Sequence, residues 1–154
     1  MKYTPSDPCF EKKVRDSFLR QKFMTTIGAQ LVSIEPGICE IHLPYKPGLS
    51  QQHGFFHAGV IGTIADNCAG YAAFSLMDAD SSVLSVEYKL NLLAPGDGEM
   101  LIGQGKVIKP GRTLTICRST IYVVKNNTKK RCADALLTMM QMKGKLDEPH
   151  RPPT

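Results

Sequence analysis

The stretch "SQQHGFFHAGVIGTIADNCAGYAAFSLM", residues 50–77, decides how this chain folds. From Ala58 to Met77 it reads as a helix that is small or apolar on nearly every side, with Val60, Ile61, Ile64, Ala65, Cys68, Tyr71, Ala72, Phe74 and Leu76. A helix of that kind belongs inside a fold rather than on its surface. Asp66 stands in its middle and is its only charge before Asp78. Burying an ionised carboxylate without partners costs several kcal/mol, so Asp66 has to be paired, protonated or facing a cleft. Gly54, Gly59, Gly62 and Gly70 lie in or just before the helix. Inside a helix each costs about 1 kcal/mol against alanine, which points to close backbone approach.

Outward from this helix the periodicity changes. Upstream, "CFEKKVRDSFLRQKFM" (9–24) sets Phe10, Val14, Phe18 and Leu19 among charges, the spacing of an amphipathic covering helix. "GAQLVSIEPGICEIHLPY" then alternates around "EPG", a hairpin pattern. Downstream come four long β segments, "SVLSVEYKLNLLAP", "EMLIGQGKVIK", "RTLTICRSTIYVV" and "RCADALLTMMQMK". "GDG", "PGR" and "NNTKK" separate them, all turn chemistry. Links this short join antiparallel neighbours, because parallel strands need long crossovers. The expected class is α+β: a six-stranded antiparallel sheet around one long central helix, with a short N-terminal helix in front. One domain covers 1–145, and 146–154 form a polar, Pro-rich tail.

With 154 residues, 42% hydrophobic and 21% charged, the chain has the make-up of one soluble globular domain. A net charge of +5 suits an anionic small molecule, nucleic acid or an anionic surface. The basic residues are scattered, however, and the densest run, "KNNTKKR" at 125–131, looks like a solvated turn. Tryptophan is absent and aromatic content low, so no stacking platform for nucleic acid is visible. No apolar run approaches membrane-spanning length. The five cysteines are odd in number and widely spaced without metal-ligand spacing, so a reduced, cytoplasmic protein with no metal is expected.

Asp66 has two readings. One is a buried aspartate bonded to backbone or to Asn67; the other is a general base or nucleophile. The approach "QQHGFFHAG" favours the second, because it puts His57 at the helix start. There, free N–H groups and the positive end of the dipole favour an anion or a developing oxyanion. Asp66 lies nine residues beyond His57, a helical rise of roughly 13 Å. The two cannot meet around one substrate atom within a single subunit. If both serve one site, Asp66 of one chain faces the helix start of another, and a two-fold dimer carries two equivalent sites. Tyr71 and Phe74, a turn or two beyond Asp66, either line a pocket or pack in the core, the default for aromatic residues there.

Gln51, Gly54, His57-Ala58-Gly59 and Ile64-Ala65-Asp66, in this spacing and followed by four strands, resemble the hotdog-fold acyl-CoA thioesterases of the PaaI-like branch over residues 10–143. The resemblance implies a hotdog fold and hydrolysis of an acyl-CoA to a carboxylic acid and free CoA. It implies Asp66 as general base or nucleophile and the Ala58 N–H as the oxyanion donor. It gives His57 a part in orienting the site or touching the thioester, and Gln51 a part in placing water or binding near the acyl group. Ser85, on the strand after the helix, would assist the carboxylate, or would simply be an inward polar group. Gly59 is a further substrate contact, and Lys109 and Arg112 of "KPGRT", with Lys89, would meet the nucleotide of CoA. No separate cofactor is implied, CoA being part of the substrate. A homodimer with shared sites, pairing into a dimer of dimers, is implied as well. Two departures bear on acyl preference: Ala58 replaces the first Gly of the usual pair, and Gln51 replaces Asn. Two other classes use the same fold, a dehydratase or hydratase of hydroxyacyl thioesters and a non-catalytic acyl-CoA-binding protein. The first commonly has a Glu where this chain has Asp66.

Overall fold

The computed structural model describes residues 3–148, so residues 149–154 of the expected tail lie outside the described residues. Two helices come first, α1 (Phe10–Arg20) and α2 (Lys22–Ile27), then the hairpin β1 (Gln30–Glu35) and β2 (Ile38–Pro44). A short loop leads to the central helix α3 (Ala58–Phe74). After it run β3 (Ser81–Leu92), β4 (Met100–Lys109), β5 (Leu114–Lys125) and β6 (Thr128–Lys143). The six strands form one sheet in the order β1-β2-β4-β5-β6-β3, antiparallel throughout. This is the hotdog arrangement: α3 lies in the concave face of the sheet and α1 packs on its flank. Among the described residues, no helix is long and apolar enough to cross a membrane.

The core forms where one side of the sheet meets α3. Cys39, Ile41 and Leu43 of β2, Leu101 of β4, and Cys117 and Ile121 of β5 alternate inward and are fully buried, as are Ile64, Ala65 and Cys68 of α3. The close approach inferred from the helix glycines is made mainly by two strand glycines. A Cβ on Gly105 would stand 2.2 Å from the Cys68 carbonyl oxygen, and one on Gly103 would stand 2.5 Å from Ile64 Cγ2. These two positions let the helix backbone rest directly on β4. At Gly70 nothing lies within 4 Å, so that glycine faces open space. The buried Ser119 hydroxyl of β5 adds a bond across the layers, donating to the Ala65 carbonyl at 2.6 Å.

Three local features differ from the sequence expectation. The covering helix over 9–24 is two helices, because Gln21 adopts an extended ψ of 95° between them. Val14 and Phe18, one turn apart, take the core-facing stripe of α1. Leu19 is one position further round and is 74% exposed. The central helix stops at Phe74 rather than Met77. There the Ser75 hydroxyl donates to the Ala72 carbonyl at 2.7 Å and accepts the Gly37 N–H at 2.8 Å, tying the helix end to the β1–β2 turn.

β3 is the edge that matters for the site. Its register against β6 shifts between Ser85 and Glu87, a β-bulge. A bulge reverses the in–out alternation. Ser85 faces α3 before it, and Tyr88 and Leu90 face α3 after it, lying within 3.5 Å of where a Cβ on Gly62 would be. Along this twelve-residue strand Leu84, Val86, Tyr88 and Leu92 are all about half exposed.

Candidate active site

The loop before α3 is folded back on itself. Gln51 N–H donates to the Phe55 carbonyl and Gly54 N–H to the Gln51 carbonyl, both at 2.9 Å, with Gly54 at φ +80°. Only a residue without a Cβ takes that angle cheaply. The Gln51 side-chain oxygen accepts the His53 N–H, which leaves its amide NH2 available. His57 is the N-cap of α3, and its Nδ1 accepts the Gly59 N–H at 2.9 Å. The other ring nitrogen therefore carries the proton and is exposed. Val60 and Ile61 both donate to the His57 carbonyl. Among the described residues, the Ala58 N–H alone of this first turn has no acceptor. It opens at the positive end of a seventeen-residue helix.

Asp66 sits two turns further on, toward β3. The Ser85 hydroxyl donates to Asp66 Oδ1 at 2.6 Å, within the charge-assisted range. Burial pushes the Asp66 carboxyl above its ordinary value, and the Ser85 bond partly opposes this by favouring the ionised form. Asp66 is thus half-buried, held by one oxygen and open at the other. Ser85 also touches the buried Met139 sulfur at 3.5 Å, which fixes its position against β6.

These residues fall into two clefts. Gln51 and Ala58 line a groove of about 520 Å³ closed by Phe56, Ile61, Leu92 and Pro95, with His57 and Gly59 exposed at the helix start beside it. Asp66 and Ser85 line another, of about 360 Å³, with Asn67, Gly70 and Tyr71 of α3, Val83 and Leu84 of β3, Ser17 and Arg20 of α1, and Gln21 at the break between α1 and α2. The fold joins Asp66 to Ser85 and Gln51 to Ala58, and it keeps the two pairs apart within one chain. Lys109, Arg112 and Lys89 are exposed, and none forms an ion pair with another described residue. Of the basic hairpin, Lys125 pairs with Asp97 at 2.6 Å. Its tip residues Asn126 and Asn127 both take positive φ, the geometry of a tight two-residue hairpin.

The contribution of α1 to the Asp66 cleft was not anticipated. One signal for it is present in the sequence: Ser17 is a polar residue next to Phe18 on the stripe that Val14 buries, and it is only 7% exposed. The Tyr71 ring packs edge-on against Phe18 at 5.8 Å, as a core residue would, while its hydroxyl reaches the cleft wall.

The profile of the thioesterase superfamily matches residues 53–129, half of the chain. A thioesterase family protein of Silicibacter pomeroyi has a solved structure that this fold matches with a TM-score of 0.87 at 44% identity, covering 88% of this chain and 99% of that one. A protein of Saccharolobus solfataricus that carries an esterase name is 29% identical over 90 residues, 58% of this chain. The 1,4-dihydroxy-2-naphthoyl-CoA hydrolase of Listeria monocytogenes is 26% identical over 91 residues, 59% of this chain. The chain spans 64% and 74% of the lengths of these two relatives.

Proposed function

This chain belongs to the thioesterase superfamily, and on that premise we propose that it hydrolyses an acyl-CoA to a carboxylic acid and free CoA, as a homodimer whose two sites each draw on both copies. The observation that carries the reading is the only charge of α3: Asp66, held by Ser85 on one oxygen, raised by burial and open to a cleft. A carboxylate so placed can take a proton from water with its free oxygen. The hydroxide adds to the thioester carbon, and the carbonyl oxygen becomes an anion held by the Ala58 N–H of the other copy. Collapse breaks the C–S bond, and the thiolate recovers the proton from Asp66. Direct attack by Asp66 is the alternative chemistry; it expels the thiolate and leaves an acyl–Asp66 anhydride, which borohydride traps by reduction and which the general-base route never forms.

Gln51, through its uncommitted amide, positions the water or the acyl carbonyl, and the exposed imidazole nitrogen of His57 borders the same groove. Gly59, at the helix start, lies in contact range of the thioester. Lys109, Arg112 and Lys89 offer exposed cations to the CoA phosphates, an attraction that salt weakens. The dimer forms through β3. A long, exposed, half-apolar edge strand is a template for pairing, and a second β3 alongside it covers Leu84, Val86, Tyr88 and Leu92. That pairing supplies the second half-site that one chain lacks.

Thiol release from short, medium, long and aryl acyl-CoAs by wild type and Asp66→Asn tests the proposal. Turnover by wild type that collapses in the variant supports it. No release from any substrate by a folded, dimeric protein sinks it.

A further inference from the structure

The chain that follows β6 crosses one end of the Asp66 cleft. It leaves the sheet at Lys143, which pairs with Ser81 at the start of β3 and whose Nζ lies 2.9 Å from Asp78 Oδ2. Gly144 then turns the backbone at φ +69°, an angle that favours glycine, and the Lys145 N–H donates to the Met142 carbonyl at 3.2 Å. At the far end Arg20 of α1 donates through Nη2 to the Asp147 carbonyl at 2.7 Å and to its carboxylate at 2.5 Å. The strap 144–148 thus runs from the β3 wall of the cleft to its α1 wall, and Asp147 and Glu148 line the cleft with Asp66. Little holds it in between. Leu146 is 59% exposed, and the N–H groups of Leu146, Asp147 and Glu148 have no acceptor among the described residues.

We infer that this strap is a gate: Arg20 and Asp147 latch it across the Asp66 cleft, Gly144 is its hinge, and it swings away to admit a ligand. This rests on the Asp66 cleft being part of the site proposed above. The two ends of the strap are unequal. The hinge end continues the β3–β6 ladder and stays with the sheet. The latch end rests on one arginine, and the side chains of Arg20 and Asp147 are 42% and 30% exposed. A pair this open to water shifts an equilibrium by about fivefold at most. Segments with few buried contacts and unbonded backbone are the first to open. A strap held by packing would bury Leu146; here that side chain faces solvent, and polar bonds alone close the strap. Arg20 is also the only cation among the described residues that line the cleft, and Asp147 takes it with both a backbone and a side-chain oxygen. With the latch shut, a ligand binds only the open fraction of molecules, and its apparent affinity falls by that fraction.

The test reads access to the cleft without relying on turnover. Gly70 lines the cleft with nothing within 4 Å of where its Cβ would stand, so Gly70→Cys places a thiol inside it. Cys9→Ser removes the exposed native thiol, and the other four cysteines are fully buried. The rate of labelling by N-ethylmaleimide, which is uncharged, is then measured with the latch intact and released. Asp147→Ala and Arg20→Ala are each expected to speed labelling about two- to fivefold. A chain ending at Lys145 should gain on the order of tenfold. Salt at about 1 M should speed labelling of the intact chain, where it screens the pair, and leave the shortened chain unchanged. Exchanging the charges, Arg20→Asp with Asp147→Arg, should restore slow labelling, which a strap acting through packing alone would not do. One thiol labelled per chain shows that each variant is folded. Equal rates in the intact and shortened chains, or fast labelling that persists in the exchanged pair, overturns the proposal. KM for an acyl thioester of N-acetylcysteamine, which carries no phosphate, is followed in parallel and should fall in the same order of variants at constant kcat. Labelling that follows the latch without any turnover leaves the gate standing and removes the hydrolase reading.

Discussion

On the side of α3 that meets β4 and β5, Ile64, Ala65 and Cys68 are fully buried and the strand beneath has glycine at 103 and 105 to admit the helix backbone. On the side toward β3, Gly62, Asp66 and Gly70 follow one another at four-residue spacing, and the space above them is only partly filled. Both sides are built from small residues, with opposite results. Where the strand supplies the missing volume, small residues let the backbones touch and the core is dry. Where the neighbour is an edge strand, small residues leave a recess, and the one carboxylate of the helix stands in it. Smallness alone therefore does not mark a packing face; the partner element decides.

Four substitutions break or sharpen this contrast. The largest effect is expected from Asp66→Asn, which should cut kcat/KM by about a thousand-fold, roughly 4 kcal/mol, yet leave the fold intact because the amide oxygen still accepts from Ser85. Stability should move the other way. Burial makes the folded chain hold the Asp66 proton more tightly than the unfolded chain does, whose carboxyl titrates near 3.8. The favourable contribution is present below that value and is lost as pH rises through the higher folded value. At neutral pH the ionised group is a liability, and Tm of the variant should equal or exceed wild type. A clear fall in Tm would contradict this account of the recess.

Gly105→Ala probes the dry side. Its methyl would meet the Cys68 carbonyl at 2.2 Å, and a loss of about 2–3 kcal/mol in denaturant unfolding is expected. An unchanged midpoint would mean that helix and strand are not in the close contact described. Ser85→Ala should lower kcat/KM by about tenfold. It should also move the acid limb of the pH–rate profile upward, because the Ser85 bond favours the ionised carboxylate and its loss raises the Asp66 value further. A limb that stays put would separate Ser85 from the titrating group. The smallest effect belongs to His57→Ala, which removes the side-chain cap on Gly59 N–H and should cost about 1 kcal/mol in stability. A stability unchanged by this substitution would free the imidazole from its structural duty.

Much of this contrast was legible in the sequence, and the reasons for the rest are local. The helix, the hairpin and four later strands follow from periodicity and from turns such as "GDG" and "NNTKK". The carboxylate in an apolar helix and its distance from His57 pointed to a divided site; in the fold Asp66 lines one cleft and His57 stands at the helix start beside another. Alternation in "EMLIGQGKVIK" shows a strand but not how near a helix will come, so Gly103 and Gly105 gave no sign of their part. The bulge after Ser85 depends on pairing with β6, which no pattern within β3 reveals. The break at Gln21 hides in a stretch of good helix formers, since what stabilises it is the distant Tyr71 hydroxyl.

The separation of the two clefts has a consequence that is genetic rather than structural. In the proposed shared-site dimer, Asp66→Asn would damage one half-site, and Ala58→Pro would damage the other by deleting its N–H at a helix position where proline is well accepted. Each variant alone should be inactive. Unfolded together and reassembled, the two chains should form mixed pairs in which both lesions fall in one site and the other site is whole. About a quarter of the wild-type activity should return from two inactive proteins, the signature of complementation between alleles of a single gene.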